Sequence, residues 1–148
     1  MACKWTYPAG LTAMCEAARK RAHGCVSVAL GRPPKEPSRC QVVLRKGEKQ
    51  FGALWGWYDR YWKFYVGGLC YGTKIEVGCN PKTGGEVSDS VLAHEMAHVY
   101  IIASTRDWGH PTRFSVCFWG APAKAGRAVR AVWRALRGAR RHGDGLGR

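Results

Sequence analysis

The chain has 148 residues, of which 24 are Lys or Arg and only 10 are Asp or Glu, so its formal net charge is +14. Its length suits one domain, and a hydrophobic content of 46% excludes an intrinsically disordered chain. The excess of positive charge favours an anionic partner, nucleic acid above all, with an anionic membrane surface or an acidic protein as alternatives.

The N-terminal sequence and the spacing of the cysteines indicate where in the cell the protein is expected. MACKWTYPAG has no apolar segment of the kind that secretory signals need, and no apolar run approaches membrane-spanning length. The seven cysteines are irregularly spaced, without a CxxC pair: Cys3, Cys15, Cys25, Cys40, Cys70, Cys79 and Cys117. This pattern argues against a zinc ribbon and a disulfide framework and favours reduced, mostly buried thiols. We therefore expect a soluble, cytoplasmic protein, with a virus-encoded or virion-associated protein as the alternative.

The first predicted element is a helix over residues 11–22, LTAMCEAARKRA, because its apolar residues recur on one face. We expect His23 and Gly24 to end this helix. The prolines of GRPPKEPS, residues 31–38, then predict a loop.

Residues 39–79 consist of short β-branched or aromatic segments divided by turn residues. We predict three or four strands, formed by RCQVVLRK, FGALWGWY, YWKFYVGG and KIEVGC, with the clearest turn at Asp59-Arg60. Many aromatic residues cluster in this region: Trp55, Trp57, Tyr58, Tyr61, Trp62, Phe64 and Tyr65. They predict the packed core of a small sheet, and stacking on unpaired bases is the alternative.

A longer helix is predicted to begin at Ser88 or Asp89, either of which can cap it, and to run to about Ser104. TRDWGHP follows as a loop. Pro111 is expected to open a short helix and Pro122 the last one, because proline suits the first turn of a helix.

The helix over residues 88–104 contains the sequence HEMAH. His94 and His98 are four residues apart, so they lie on one helix face and direct two imidazoles at one point. Together with Glu95 they form HExxH, in which the histidines bind zinc and the glutamate acts as general base. The alternatives are a chance match and histidines that only form hydrogen bonds in the core, but a metal ion supplies the partners that buried polar groups need more simply.

A catalytic zinc site needs a third protein ligand and one open position. No Glu follows Glu95, which excludes the gluzincin arrangement unless the ligand lies upstream, and the metzincin pattern HExxHxxGxxH is absent. The downstream oxygen and nitrogen donors are Asp107, His110, His142 and Asp144. The last two lie in a Gly-rich tail, a poor place for a rigid ligand. We favour His110, with Asp107 as an outer partner or competing ligand and Cys117 as a weaker candidate.

These residues resemble the SprT-like zincins, the family that includes the Spartan DNA–protein crosslink proteases. HEMAH followed by WGHPTRF is similar to the family's HExxH helix and to its loop with a third His, and Phe114 matches the Phe after that His. The resemblance implies a zincin-like fold in which His94, His98 and His110 bind Zn²⁺ and Glu95 is catalytic.

The resemblance covers roughly residues 40–117, and only its zinc motif is specific. Pro111 replaces the second Gly of the family's GHG, and the four-Cys zinc ribbon of bacterial members is absent. KIEVGCNP resembles the strand that borders the substrate cleft in that family, so we expect the substrate backbone to add beside KIEVGC. The minigluzincins are also similar, but the missing downstream Glu speaks against them.

Residues 123–141, AKAGRAVRAVWRALRGARR, predict a cationic amphipathic helix. Its basic stripe consists of Lys124, Arg127, Arg130, Arg134, Arg137 and Arg141. The Arg bias favours phosphate contacts on nucleic acid, with an anionic membrane surface or plain solvent exposure as alternatives. We therefore divide the chain into a zincin-like metallopeptidase core, residues 1–120, and a basic C-terminal helix and tail, residues 121–148.

The sequence thus predicts an α+β zinc metallopeptidase, with a three- to four-stranded, mostly antiparallel sheet packed on the HExxH helix, an N-terminal helix and a basic C-terminal helix. Its expected substrates are proteins on or near nucleic acid, such as DNA-bound proteins. The alternative is a non-catalytic nucleic-acid-binding or structural protein, stabilised by zinc with a fourth protein ligand such as Asp107 or Cys117. The sequence does not predict the oligomeric state.

Overall fold

The computed structural model describes residues 4–52 and 54–106, which form seven strands and two helices. In chain order these elements are β1 (Lys4–Thr6), α1 (Thr12–Leu30), β2 (Arg39–Lys46), β3 (Lys49–Phe51), β4 (Leu54–Asp59), β5 (Phe64–Val66), β6 (Gly68–Cys70), β7 (Lys74–Cys79) and α2 (Asp89–Thr105). The described part of the chain is therefore α+β, as the sequence predicts. The predicted domain boundary at residue 120 and the predicted basic helix lie outside the described residues.

The larger sheet has four strands in the order β1-β2-β7-β6. β1 and β2 are parallel, as are β2 and β7, and only β6 runs antiparallel to its neighbour β7. The prediction of a mostly antiparallel sheet is wrong for this larger sheet. A parallel pair needs a long connection, and α1 provides one between β1 and β2, while the segment from β3 to β6 provides the other.

The smaller sheet is antiparallel, in the order β3-β4-β5. Its β4–β5 hairpin turns at Asp59-Arg60, as predicted. The Asp59 carboxylate accepts hydrogen bonds from the backbone N–H groups of Tyr61 at 3.0 Å and Trp62 at 2.9 Å. These two bonds close the turn locally, as aspartate side chains commonly do.

The aromatic residues of this region divide between the core and the surface. Trp57 is fully buried and forms a second, small core with Val66 and Leu69, so its predicted core role is confirmed. Several other aromatic side chains of the cluster are exposed: Tyr58, Tyr61 and Tyr65. For these three the prediction of core packing is wrong.

Helix α1 is longer than predicted, because it continues past His23 and Gly24 to Leu30. Packing explains the difference. Val26 is fully buried, and the His23 ring packs edge-on against Tyr100 of α2, with ring centroids 5.3 Å apart. A glycine inside a helix costs only about 1 kcal/mol relative to alanine, which these tertiary contacts outweigh.

Helix α2 packs against α1 and against strands β6 and β7. One core cluster joins both helices to the larger sheet. Its largest fully buried side chains include Ile75, Leu92, Met96, Tyr100 and Ile101. Burying each such side chain contributes about 1.5–3 kcal/mol, so this cluster fixes α2 firmly against the sheet.

Two further predictions can be compared with the described residues. Among them, no helix combines the length and the apolar character needed to cross a bilayer. No disulfide joins two cysteines of this part of the chain, and Cys15, Cys40 and Cys79 are buried. The prediction of mostly buried cysteines is thus confirmed for the described residues, while their reduced state stays a prediction.

Candidate metal centre

Helix α2 begins and ends close to the predicted positions. Ser88 caps it by accepting a hydrogen bond from the backbone N–H of Val91 at 3.4 Å. Asp89 lies in the first turn, where the helix dipole favours negative charge. Every side chain from residue 91 to residue 101 is buried, so polar groups in this stretch need partners inside the protein.

His94 and His98 lie together on α2, as the i, i+4 spacing predicts. Their ring centroids are 5.0 Å apart and their ring planes are inclined by 71°. Only 8% of His94 and 3% of His98 is exposed. In a tetrahedral site with Zn–N bonds of about 2 Å, two imidazole centroids are about 5 Å apart, so the pair fits a shared zinc ion.

Glu95 is 4% exposed and its side chain lies against the strand β6. A β-carbon built on Gly68 would lie 2.8 Å from its Oε1 atom and 2.9 Å from its Cγ atom. The missing side chain at Gly68 therefore makes room for the carboxylate. Burial raises the pKa of Glu95 from 4.5 to about 8. In the metal-free protein, burial thus favours the protonated form of this carboxyl near neutral pH.

Cys70 lies on the same strand and contributes a second polar group near Glu95. Burial raises the pKa of its thiol well above the usual range, and the charge of Glu95 raises this pKa further. The thiol is therefore protonated at neutral pH and behaves as a small apolar side chain. The sequence reasoning missed both Gly68 and Cys70, because only the pairing of β6 with β7 brings them next to α2.

The strand order corrects the predicted substrate edge. KIEVGC is β7, which pairs with β2 on one side and with β6 on the other, so its backbone groups are already used. The strand that ends the larger sheet on the side of Glu95, within the described residues, is β6. Within the described residues, β6 therefore has an open edge and β7 has none.

Several predicted functional residues lie outside the described residues: His110, Asp107, Cys117, Phe114, Lys124, Arg127, Arg130, Arg134, Arg137 and Arg141. Within residues 4–52 and 54–106, no three or more His, Cys, Asp or Glu side chains are grouped so that they could hold a metal ion. A zinc site built on His94 and His98 would take its third protein ligand from outside the described residues. His110 is the residue predicted for that role.

No protein family model, no curated protein and no solved structure matches the chain. The similarity to SprT-like zincins thus stays a prediction from the HExxH helix and the WGHP loop. The proposed function rests on the side chains of α2 and on the strand beside them.

The raised pKa of Glu95 predicts how the stability of the metal-free protein depends on pH. Between pH 4.5 and about 8 the carboxyl is protonated in the folded state and ionised in the unfolded state. Folding then takes up a proton, so the contribution of Glu95 to stability falls as pH rises through this range. Relative to the Glu95→Gln variant, the parent should lose up to about 1.4 kcal/mol of unfolding free energy per pH unit.

Urea unfolding in the presence of a chelator, from pH 5 to pH 8, measures this difference. Subtracting the curve of the Glu95→Gln variant isolates the pH dependence that the Glu95 carboxyl adds. Curves that stay parallel over the whole range would show that Glu95 is ionised in the folded protein.

Proposed function

We propose that the chain is a zinc metallopeptidase of the SprT-like kind. The observation that supports this most directly is the pair of buried imidazoles, with centroids 5.0 Å apart, beside a buried carboxylate. The HExxH order would place a base next to a zinc ion bound to the two histidines.

The three α2 side chains divide into two metal ligands and one base. His94, His98 and the predicted ligand His110 would hold a zinc ion, which would supply Lewis-acid chemistry to a peptide carbonyl and to a water molecule. Glu95 accepts the proton that the attacking water loses as its oxygen bonds to the carbonyl carbon. When the C–N bond breaks, Glu95 donates that proton to the leaving amine.

Strand β6 offers a place for the substrate backbone. It is an edge strand within the described residues, and Glu95 lies directly over Gly68. An extended peptide that pairs with β6 through main-chain hydrogen bonds would be held close to the base. This arrangement leaves the peptide's side chains little role in recognition, so cleavage should tolerate many sequences.

The proposed substrates are proteins that are themselves bound to nucleic acid. The net charge of +14 and the predicted basic stripe from Lys124 to Arg141 support this part of the proposal. A peptidase that binds the same polyanion as its substrate meets that substrate at a raised effective concentration.

Zinc content and proteolysis, measured together on the full chain, test the proposal. We expect one zinc ion per chain and cleavage of casein, with both lost on chelation and both restored by added zinc. His98→Ala should lose the metal, because it removes one of the two α2 ligands. His23→Ala is the matched control, since this histidine lies on α1 against Tyr100 and should leave zinc binding intact.

The structural alternative predicts a different outcome. Zinc that stays bound without any proteolysis, with DNA present as well as without it, would contradict the peptidase proposal and favour a zinc-stabilised binding protein. A chain that folds with both histidines intact but binds no zinc would contradict both.

A further inference from the structure

The outer face of the β3-β4-β5 sheet exposes aromatic rings with a lysine over them. We propose that this face binds single-stranded nucleic acid by stacking unpaired bases on its aromatic rings. The surface, here named the aromatic platform, consists of Lys49, Phe51, Tyr58 and Tyr65. The proposal does not rest on the peptidase activity, because none of these residues lies in α2 or β6.

The strand register places the platform residues on one face. Tyr58 of β4 is paired with Tyr65 of β5. Lys49 of β3 is paired with Gly56, which precedes Tyr58 by two residues and so shares its face. The adjacent residue Trp57 points the other way and is fully buried. Leu54, on the same side of β4 as Tyr58, is buried in the main core, so the exposed part of this face lies around Tyr58 and Tyr65.

The three aromatic rings are adjacent but inclined to one another, with the Tyr65 plane at 60° to that of Phe51 and at 73° to that of Tyr58. The Tyr65 centroid is 5.8 Å from that of Phe51 and 5.5 Å from that of Tyr58. The three residues are 40–42% exposed. Adjacent rings left this exposed mark a surface with a partner, since aromatic side chains otherwise contribute most when buried.

The charge around the rings identifies the kind of partner. The Lys49 ammonium lies 5.1 Å from the centroid of Phe51 and 5.4 Å from that of Tyr65, over both rings. Further exposed basic residues on the adjoining strands and turns are Lys46, Arg60 and Lys63. The nearby acidic side chain is Glu48, whose carboxylate accepts a hydrogen bond from the Tyr58 N–H at 3.4 Å.

Rings combined with positive charge fit a polyanion whose bases have accessible faces. Lys49 can swing from the rings to a phosphate, which leaves the ring faces to the bases. A duplex does not offer such faces, because its bases are already stacked on each other. The platform should therefore prefer single strands and show little dependence on base sequence.

Fluorescence anisotropy with the full chain tests the proposal, using labelled oligothymidine, oligouridine and a duplex. Tyr65→Ala should weaken binding to single strands by about 5- to 150-fold, since stacking contributes about 1–3 kcal/mol per base. Its affinity for the duplex should not change. Tyr65→Phe keeps the ring and should bind like the parent. Tyr61→Ala removes a tyrosine that is 82% exposed but lies outside the platform, so this variant should also bind like the parent.

A salt titration separates stacking from charge. Tyr65→Ala should reduce the single-strand affinity at every salt concentration without changing the slope of log K against log salt. Lys49→Gln should make that slope less steep by about 0.7, the value for one phosphate contact on a single strand. The oligothymidine and oligouridine arms show whether DNA or RNA is preferred.

Binding by Tyr65→Ala and Phe51→Ala that equals the parent would overturn the proposal, even if the basic tail still binds DNA. Self-association that both variants lose, with unchanged oligonucleotide binding, would assign the surface to a second copy of this chain instead. Neither result bears on the peptidase, which casein cleavage measures separately. Both substitutions are on an exposed face, so circular dichroism should show an unchanged fold.

Discussion

Glu95→Gln should lower peptide hydrolysis by about 10²- to 10⁴-fold, the range that loss of a general base produces. Glutamine has nearly the same shape as glutamate but cannot accept the proton of the attacking water. Zinc should stay bound, because His94 and His98 are untouched. The fold should also persist, because the substitution removes a carboxylate whose burial is unfavourable when it is charged. Initial rates on a casein substrate and zinc per chain are the two measurements.

Glu76→Gln is the matched control for this substitution. Glu76 lies on β7 between the buried residues Ile75 and Val77, so it points to the opposite face of the sheet, where it pairs with Arg45 at 3.1 Å. Loss of that partly exposed pair should cost no more than about 1 kcal/mol and leave hydrolysis unchanged. If Glu95→Gln cleaves as fast as the parent, the peptidase assignment is wrong. If it loses zinc as well as activity, Glu95 acts as a ligand and not as the base.

Helix α2 could be predicted almost to the residue, because its signals are local. Ser88 forms the predicted cap, and the helix ends at Thr105, one residue beyond the predicted Ser104. β1 and the end of α1 could not be predicted in this way. β1 has three residues and exists through pairing with β2, with Lys4 opposite Arg39. α1 continues past Gly24 through contacts with α2 that no local pattern encodes.

In the candidate site, too, local sequence spacing predicted some contacts, while others depend on strand pairing between distant parts of the chain. The spacing of His94 and His98 predicted that their rings meet, and their centroids are 5.0 Å apart. Gly68, which faces Glu95, could not be predicted, because β6 has only three residues and the register of its pairing with β7 sets its position. The predicted substrate edge at KIEVGC was wrong for the same reason, since a sequence does not show which strand ends the sheet.

The contact between Gly68 and Glu95 predicts a second large effect on catalysis, without loss of the metal. An added β-carbon at Gly68 would lie 2.8 Å from the Glu95 Oε1 atom and 2.8 Å from the Val91 Cγ1 atom, closer than real contacts allow. The Glu95 side chain yields more easily than Val91, because its end turns about flexible bonds. We expect Gly68→Ala to lower kcat by about 10²-fold, as a displacement near 1 Å does. Zinc content should stay the same.

The control for Gly68→Ala is Gly24→Ala, which adds the same methyl group where no atom lies within 4 Å. It should leave hydrolysis unchanged and stabilise α1 by about 0.5–1 kcal/mol.

Combining Gly68→Ala with Glu95→Gln tests whether Gly68→Ala slows hydrolysis through Glu95. If Gly68 acts only by positioning Glu95, the double variant should be no slower than Glu95→Gln alone. A further loss in the double variant would mean that Gly68 also shapes the place where the substrate backbone pairs with β6. Parent-like hydrolysis by Gly68→Ala would mean that Glu95 does not rest against this strand during catalysis.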